Sequence, residues 1–201
     1  MLDYEEAEHL RKKIKKRMNA KRYRHTIGVE YTAVSLAMRY GADLRQAALA
    51  GLLHDCAKCM EGRELVGECD RYHISYSQTE REQPYLLHAK LGAYYAREKY
   101  GIEDDELCSA IRYHTTGRAG MSLLEKIIFT ADYIEPHRKM LDMLPAIRQM
   151  AFTDLDEAVY MILRETISYL EESNLHKKQE IEQHTLQAYE YYKMLHDKHR
   201  V

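Results

Sequence analysis

Breakers are rare in this sequence: three prolines and nine glycines in 201 residues leave too few turns for a strand-and-hairpin architecture. What lies between them repeats at helical spacing. Ile27, Val34 and Met38 share one helix side, as do Ala47, Ala50 and Leu53. So do Leu123, Ile127, Ile128 and Ala131, and again Val159, Ile162, Ile167 and Leu170. The pattern predicts an all-α chain with helices over 3–18, 20–40, 43–58, 61–70, 86–99, 104–114, 121–134, 138–150, 154–172 and 179–198. Gly41 with Asp43, the Gln83-Pro84 step, Gly101, Gly117 to Gly120, Pro136 and Asn174 supply the stops and starts. No linker rich in Pro, Gly or Ser and no internal repeat divides the chain, so residues 1–201 are expected to form a single helical domain.

Charge narrows the function classes. Lys+Arg 30 against Asp+Glu 32 gives a net −2, so no global positive field exists to hold duplex nucleic acid or an anionic membrane, although a local basic patch is compatible with it. The longest uninterrupted apolar run, Ala47 to Leu53, falls far short of the roughly 18 residues of a membrane span. The N-terminal stretch mixes both charge signs without a signal-type apolar segment, which places the expected location in the cytoplasm. Of Cys56, Cys59, Cys69 and Cys108 only the first two are closely spaced, and no second pair completes a metal knuckle, so all four read as reduced thiols. Seventeen tyrosines against two phenylalanines and no tryptophan suit core edges, where the ring packs and the hydroxyl stays wet. Together with the polar C-terminal helix they permit a homodimer without requiring one.

The segment Leu52-Leu53-His54-Asp55 ends an apolar run on an adjacent histidine and aspartate. Burying both costs several kcal/mol unless a partner compensates, and a divalent cation is the most effective partner for the two together. His25, His88, His114 and Asp132 stand in comparable apolar or small-residue contexts. Each alone is more often a hydrogen-bonded core or surface group than a ligand. As a set they offer four imidazoles and two carboxylates from separate helices, the donor style of a site inside a helical bundle, with room for two metals and a bridging carboxylate. Lys58 follows Asp55 by about one turn and can present its ammonium to a phosphate on the same side. Arg22 and Arg138 carry forks suited to phosphate oxygens, and Thr115-Thr116-Gly117 forms a small polar turn after His114 that can donate hydroxyls. His176, His184, His196 and His199 lie among Lys and Glu residues and are expected on a solvated helix.

The ordered set His25, His54-Asp55, His88, His114, Asp132 resembles the HD superfamily of helical metal-dependent phosphohydrolases, in the form with two extra histidines. The wording RYRHT, GLLHDCAK, LLHAKLGA, RYHTTGRAGMS and IIFTADYIEPHR is similar to the bacterial YqeK family of symmetrical bis(5'-nucleosyl)tetraphosphatases. The motifs run from about residue 20 to 138, with a looser continuation through the C-terminal helices at about 154–198. The piece around Thr185 resembles that family's late nucleoside-covering segment but lacks the proline expected before the threonine.

The resemblance implies an HD-type helical bundle with a metal site in its core. His25, His54, Asp55 and Asp132 would hold one metal, and His88 and His114 would complete a second, with Asp55 bridging. It also implies iron as the divalent metal. The expected activity is symmetrical hydrolysis of diadenosine tetraphosphate to two ADP by a metal-activated water, with Asp55 and Lys58 as catalytic groups. The substrate, a small dinucleoside polyphosphate, would lie against Arg22, Asp55, Lys58, His88, His114, Thr115, Thr116, Asp132 and Arg138. The same residues leave open another HD-type phosphohydrolase acting on a nucleotide, an HD-type di-iron oxygenase, and a non-catalytic nucleotide sensor.

Overall fold

In the computed structural model, which describes residues 4–177 and 180–199, no strand occurs among the described residues. The helices in chain order are α1 (Tyr4–Lys15), α2 (Ala20–Tyr40), α3 (Leu44–Leu53), α4 (Gly62–Arg71), α5 (Gln78–Glu82), α6 (Leu87–Tyr100), α7 (Asp105–Tyr113), α8 (Leu123–Ile134), α9 (Leu144–Ala151), α10 (Leu155–Lys177) and α11 (Gln183–His199). A single 3-10 turn, Pro84–Leu86, leads into α6. Caps follow the local chemistry. Asn19, Asp43, Ser77, Asp104 and Ser122 each accept a backbone N–H at a helix start, and Gly41 and Gly101 close α2 and α6 in the left-handed region.

The all-α expectation holds, and the differences in extent have identifiable causes. The helix expected over 43–58 stops at Leu53, because the His54 ring takes the Gly51 carbonyl that a further helical turn would use. The helix expected over 138–150 begins only at Leu144, since Pro145 in its first turn has no N–H to continue an upstream helix. Asn174 does not end α10, which runs on to Lys177. The short α5 went unforeseen, although Ser77 and Glu80 form a reciprocal capping box at its start.

The main core gathers fully buried side chains from α2, α3, α7, α8, α9, α10 and α11, including Val29, Leu36, Leu53, Ile111, Ile127, Ile147 and Leu163. A smaller core under α4 and α6 contains Leu65, Cys69, Leu87, Leu91 and Tyr95. α2 and α3 pack closely enough that a Cβ on Gly51 would stand 2.9 Å from the Glu30 backbone, so only glycine fits there. Glu30 is itself buried and closed by the Arg11 fork at 2.6 and 3.1 Å, which ties α1 to α2. At the other end His196 departs from the solvated-helix expectation: its ring stacks on Tyr160 at 4.3 Å and its Nδ1 meets Glu157 at 2.6 Å, docking α11 on α10. His184 lies against the Tyr113 ring, while the side chains of His176 and His199 fall outside the described residues. No helix among the described residues is long and apolar enough to cross a membrane.

Candidate metal centre

The donors converge from five places: His25 from α2, His54 and Asp55 from the turn after α3, His88 from the first turn of α6, His114 from the end of α7, and Asp132 from α8. His25, His54, Asp55, His88 and His114 are buried. The aim of each ring is set by its Nδ1. In His54 and His114 this atom donates to the carbonyl three residues earlier, Gly51 at 2.6 Å and Ile111 at 2.7 Å. His88 does the same to Tyr85. His25 donates to Glu135 Oε1 at 3.0 Å. A carbonyl or carboxylate can only accept, so Nδ1 carries a proton in each of the four rings, and the neutral form of each presents its Nε2 lone pair inward.

Asp55 lies between these lone pairs. Its Oδ2 is 3.4 Å from His54 Nε2 and 3.8 Å from His25 Nε2, while its Oδ1 is 3.3 Å from His88 Nε2 and 3.7 Å from His114 Nε2. One carboxylate therefore faces two imidazoles with each oxygen. Asp132 Oδ1 joins the first set at 2.9 Å from His25 Nε2 and 3.8 Å from His54 Nε2.

The donor set fits divalent cations. The Nε2 atoms of His25 and His54 are buried with no hydrogen-bond partner. Those of His88 and His114 face each other at 3.1 Å, an arrangement of two lone pairs that is repulsive unless a cation lies nearby. The groups His25, His54, Asp55 and Asp55, His88, His114 each bring three donor atoms within 4.8 Å of one another. Electrostatics favour ionised carboxylates and a neutral His88, with His25 shifted the other way. Burial alone favours neutral carboxyls, yet the surrounding imidazoles outweigh it and hold Asp55 far below the usual carboxylate range. Asp132 is likewise depressed, chiefly through His25 against the pull of burial. Burial, seconded by Lys58 and His114, pushes His88 down to about 4, so it is neutral and able to ligate at pH 7. His25 is raised, because Asp132, Glu135 and Asp55 together overcome its burial.

Lys58 Nζ lies 3.3 Å from both ring nitrogens of His88, and burial lowers its pKa against the attraction of Asp55. Thr115 Oγ1 approaches His88 Nε2 at 3.2 Å and His114 Nε2 at 3.1 Å. The neighbouring Thr116 is buried, and its hydroxyl donates to the Gly117 carbonyl at 3.0 Å, so it does not face the cluster as Thr115 does. Arg22 binds Asp55 Oδ2 at 2.6 Å and stands at the rim of a cleft of about 790 Å³ that reaches His25. Lys21, Arg24, Arg138 and Lys139 line the same cleft, and among the described residues none of these four forms a salt bridge.

Glu135 was not singled out from the sequence. It is buried, with one oxygen on His25 Nδ1 and the other accepting the His137 backbone N–H at 2.6 Å, so it links a donor histidine to the loop that carries Arg138 and Lys139. Gly28 makes room for it, since a Cβ there would come within 2.4 Å of Glu135 Oε2. Its one sequence signal was an ionisable residue ending the apolar α8 immediately before Pro136.

The model of the HD domain family matches residues 22–137. This chain belongs to the HD-domain family. Among its HD-domain relatives is the symmetrical bis(5'-nucleosyl)-tetraphosphatase of Halalkalibacterium halodurans, 46% identical over 176 residues, which are 88% of this chain and 91% of that one. The protein of the same name from Bacillus subtilis is 39% identical over 161 residues, 80% of this chain and 86% of its own. The crystal structure of a predicted HD superfamily hydrolase involved in NAD metabolism, from Clostridium acetobutylicum, is 35% identical. It superposes with a TM-score of 0.87 over 97% of this chain and 99% of that chain. The matched HD segment contains all six donors of the cluster.

Proposed function

We propose that this chain is a hydrolase that cleaves diadenosine tetraphosphate symmetrically to two ADP, at a centre of two divalent metals sharing Asp55. His25, His54, Asp55 and Asp132 would hold one ion, and His88, His114 and the second oxygen of Asp55 the other. Iron is the proposed metal on the family resemblance, since mixed imidazole and carboxylate donors by themselves suit several first-row ions. The supporting observation is the placement of Asp55, with each oxygen faced by two inward-aimed imidazoles, at the edge of a cleft lined by Lys21, Arg24, Arg138 and Lys139, none of which forms a salt bridge among the described residues. The names of the relatives agree with it.

When bound, such a metal pair polarises the attacked phosphoryl group and lets water act as a nucleophile at neutral pH. The chain's own residues do the rest. Lys58 and Thr115 stand at the His88–His114 end, where an ammonium and a hydroxyl can meet the oxygens of the reacting phosphate. Arg22 holds Asp55 in place through its Oδ2 while facing the cleft, and Arg138 adds a fork for the phosphates beyond. The leaving group is ADP, whose terminal phosphate is already a stable anion, so no general acid is required. A freely diffusing nucleotide substrate suits work in the cytoplasm.

The direct test is anaerobic incubation of iron-reconstituted protein with diadenosine tetraphosphate, with nucleotide products resolved by chromatography. ADP as the sole product, absent with Asp55→Ala, is the expected result. ATP plus AMP would overturn the symmetrical cleavage, and no turnover in metal-loaded protein would overturn the hydrolase.

A further inference from the structure

A second hollow of about 500 Å³ adjoins the basic cleft, lined by Lys15, Met18, Ala20, Tyr23, Arg24, Ile27 and His137. It shares Arg24 and His137 with the cleft, so the two adjoin at those side chains. The helix explains the adjacency. On α2, Lys21 and His25 form one stripe at i, i+4 spacing, and Ala20, Tyr23, Arg24 and Ile27 form the next stripe round the axis. One stripe faces the metal donors and the cationic cleft, and the other lines a hollow with Met18, Tyr23 and Ile27 on its walls. A half-buried tyrosine ring and two aliphatic side chains contact a base face well, but they offer nothing to a phosphate.

Resting on the hydrolase function proposed above, we infer that this hollow seats one nucleoside of the dinucleoside polyphosphate, with its base against Tyr23, Met18 and Ile27. The polyphosphate then runs from the metal donors across Arg22, Arg24 and Arg138. A ligand with a base at the end of a polyanion matches a hollow with one apolar wall, Met18, Tyr23 and Ile27, at the end of a cationic cleft, in that order; Lys15 lies over the Tyr23 ring at 5.5 Å and faces the same hollow. Arg24 stands at the junction of base and phosphate, and His137 is held there through the Glu135 carboxylate that also holds His25.

The test is calorimetric titration of metal-loaded protein with a methylene-bridged, non-hydrolysable diadenosine tetraphosphate, and in parallel with inorganic tripolyphosphate, which has no base. Tyr23→Ala should weaken the dinucleotide analogue about tenfold, the scale of one base–aromatic stack, and leave tripolyphosphate unchanged. Tyr23→Phe should restore it. Because Tyr23 also packs against the core, Ala20→Glu serves as a second variant: the position is exposed in the first turn of α2, where a glutamate suits the helix, and it puts a carboxylate in the hollow. It should weaken the analogue as well. Equal affinity of the analogue for wild type and both Tyr23→Ala and Ala20→Glu would overturn the subsite, as would an equal loss for tripolyphosphate in Tyr23→Ala. Wild-type protein that binds the analogue through Tyr23 yet hydrolyses no diadenosine tetraphosphate would overturn the hydrolase function and keep the subsite. Hydrolysis indifferent to Tyr23 and Ala20, with unchanged analogue binding, would do the reverse.

Discussion

The four imidazoles around Asp55 are each tied at Nδ1 to a backbone carbonyl or to Glu135. The cations of the adjoining cleft, Lys21, Arg24, Arg138 and Lys139, form no salt bridge among the described residues. The two regions touch at Arg22 and His25, yet charge is handled in opposite ways. In the buried cluster the rings are fixed before anything binds, which is what a metal site needs, because a misaimed donor loses its bond. Of the rim arginines and lysines among the described residues Arg22 alone is salt-bridged, to Asp55, and the others suit a ligand that carries its own negative charge and can be gripped in more than one register. The difference teaches where binding energy is stored: in prepaid geometry inside, and in unneutralised charge outside.

The comparison breaks most sharply at Asp55. Asp55→Asn retains the shape but removes the charge that both imidazole pairs face. It should abolish hydrolysis by a factor of about 10³ or more and lower metal content together, read by product chromatography and elemental analysis. Glu135→Gln tests the link between the regions. The amide can still accept from His25 or from the His137 N–H, but its NH₂ end cannot serve the other. Metal affinity should fall about 10- to 100-fold in a chelator competition. Arg24→Ala belongs to the rim alone. KM should rise about three- to tenfold, mainly without loss of kcat, and KM should become less steeply dependent on ionic strength, with melting unchanged because no partner is stranded. The smallest effect lies outside both regions. Burial pushes the Cys56 thiol up to about 12 and Cys69 up to about 11, so at pH 8 both stay protonated, and iodoacetamide should modify the exposed Cys59 first, as peptide mass spectrometry would show.

The sequence showed which side chains gather around Asp55 better than it showed their aim. His25, His54, Asp55, His88, His114 and Asp132 could be picked out because ionisable groups in apolar surroundings are conspicuous. Helical periodicity likewise predicted the bundle they sit in. What could not be read was anything depending on contacts between distant segments: the Glu135 carboxylate shared by residues 25 and 137, or which oxygen of the bridging Asp55 faces which pair of rings. Thr115 and Thr116 are chemically alike in sequence, and only the turn after α7 turns one hydroxyl to the cluster and the other to the Gly117 carbonyl. The helix end at Leu53 belongs to the same class, because a histidine next to a helical turn reads as one more helical residue until its ring is seen taking a carbonyl.

That use of carbonyls has a consequence for how freely the chain can vary. Three rings are anchored on peptide groups of residues 51, 85 and 111, and a peptide group is present whatever side chain it carries. Residue 51 has no latitude, for the steric reason given above. Tyr85 is 48% exposed, so its identity can drift while His88 keeps its bearing, whereas Ile111 is fully buried and can exchange only for an apolar side chain of similar volume. The scaffold separates what must stay constant for aim from what may change for packing, and a library randomised at residue 85 should retain metal in most of its members.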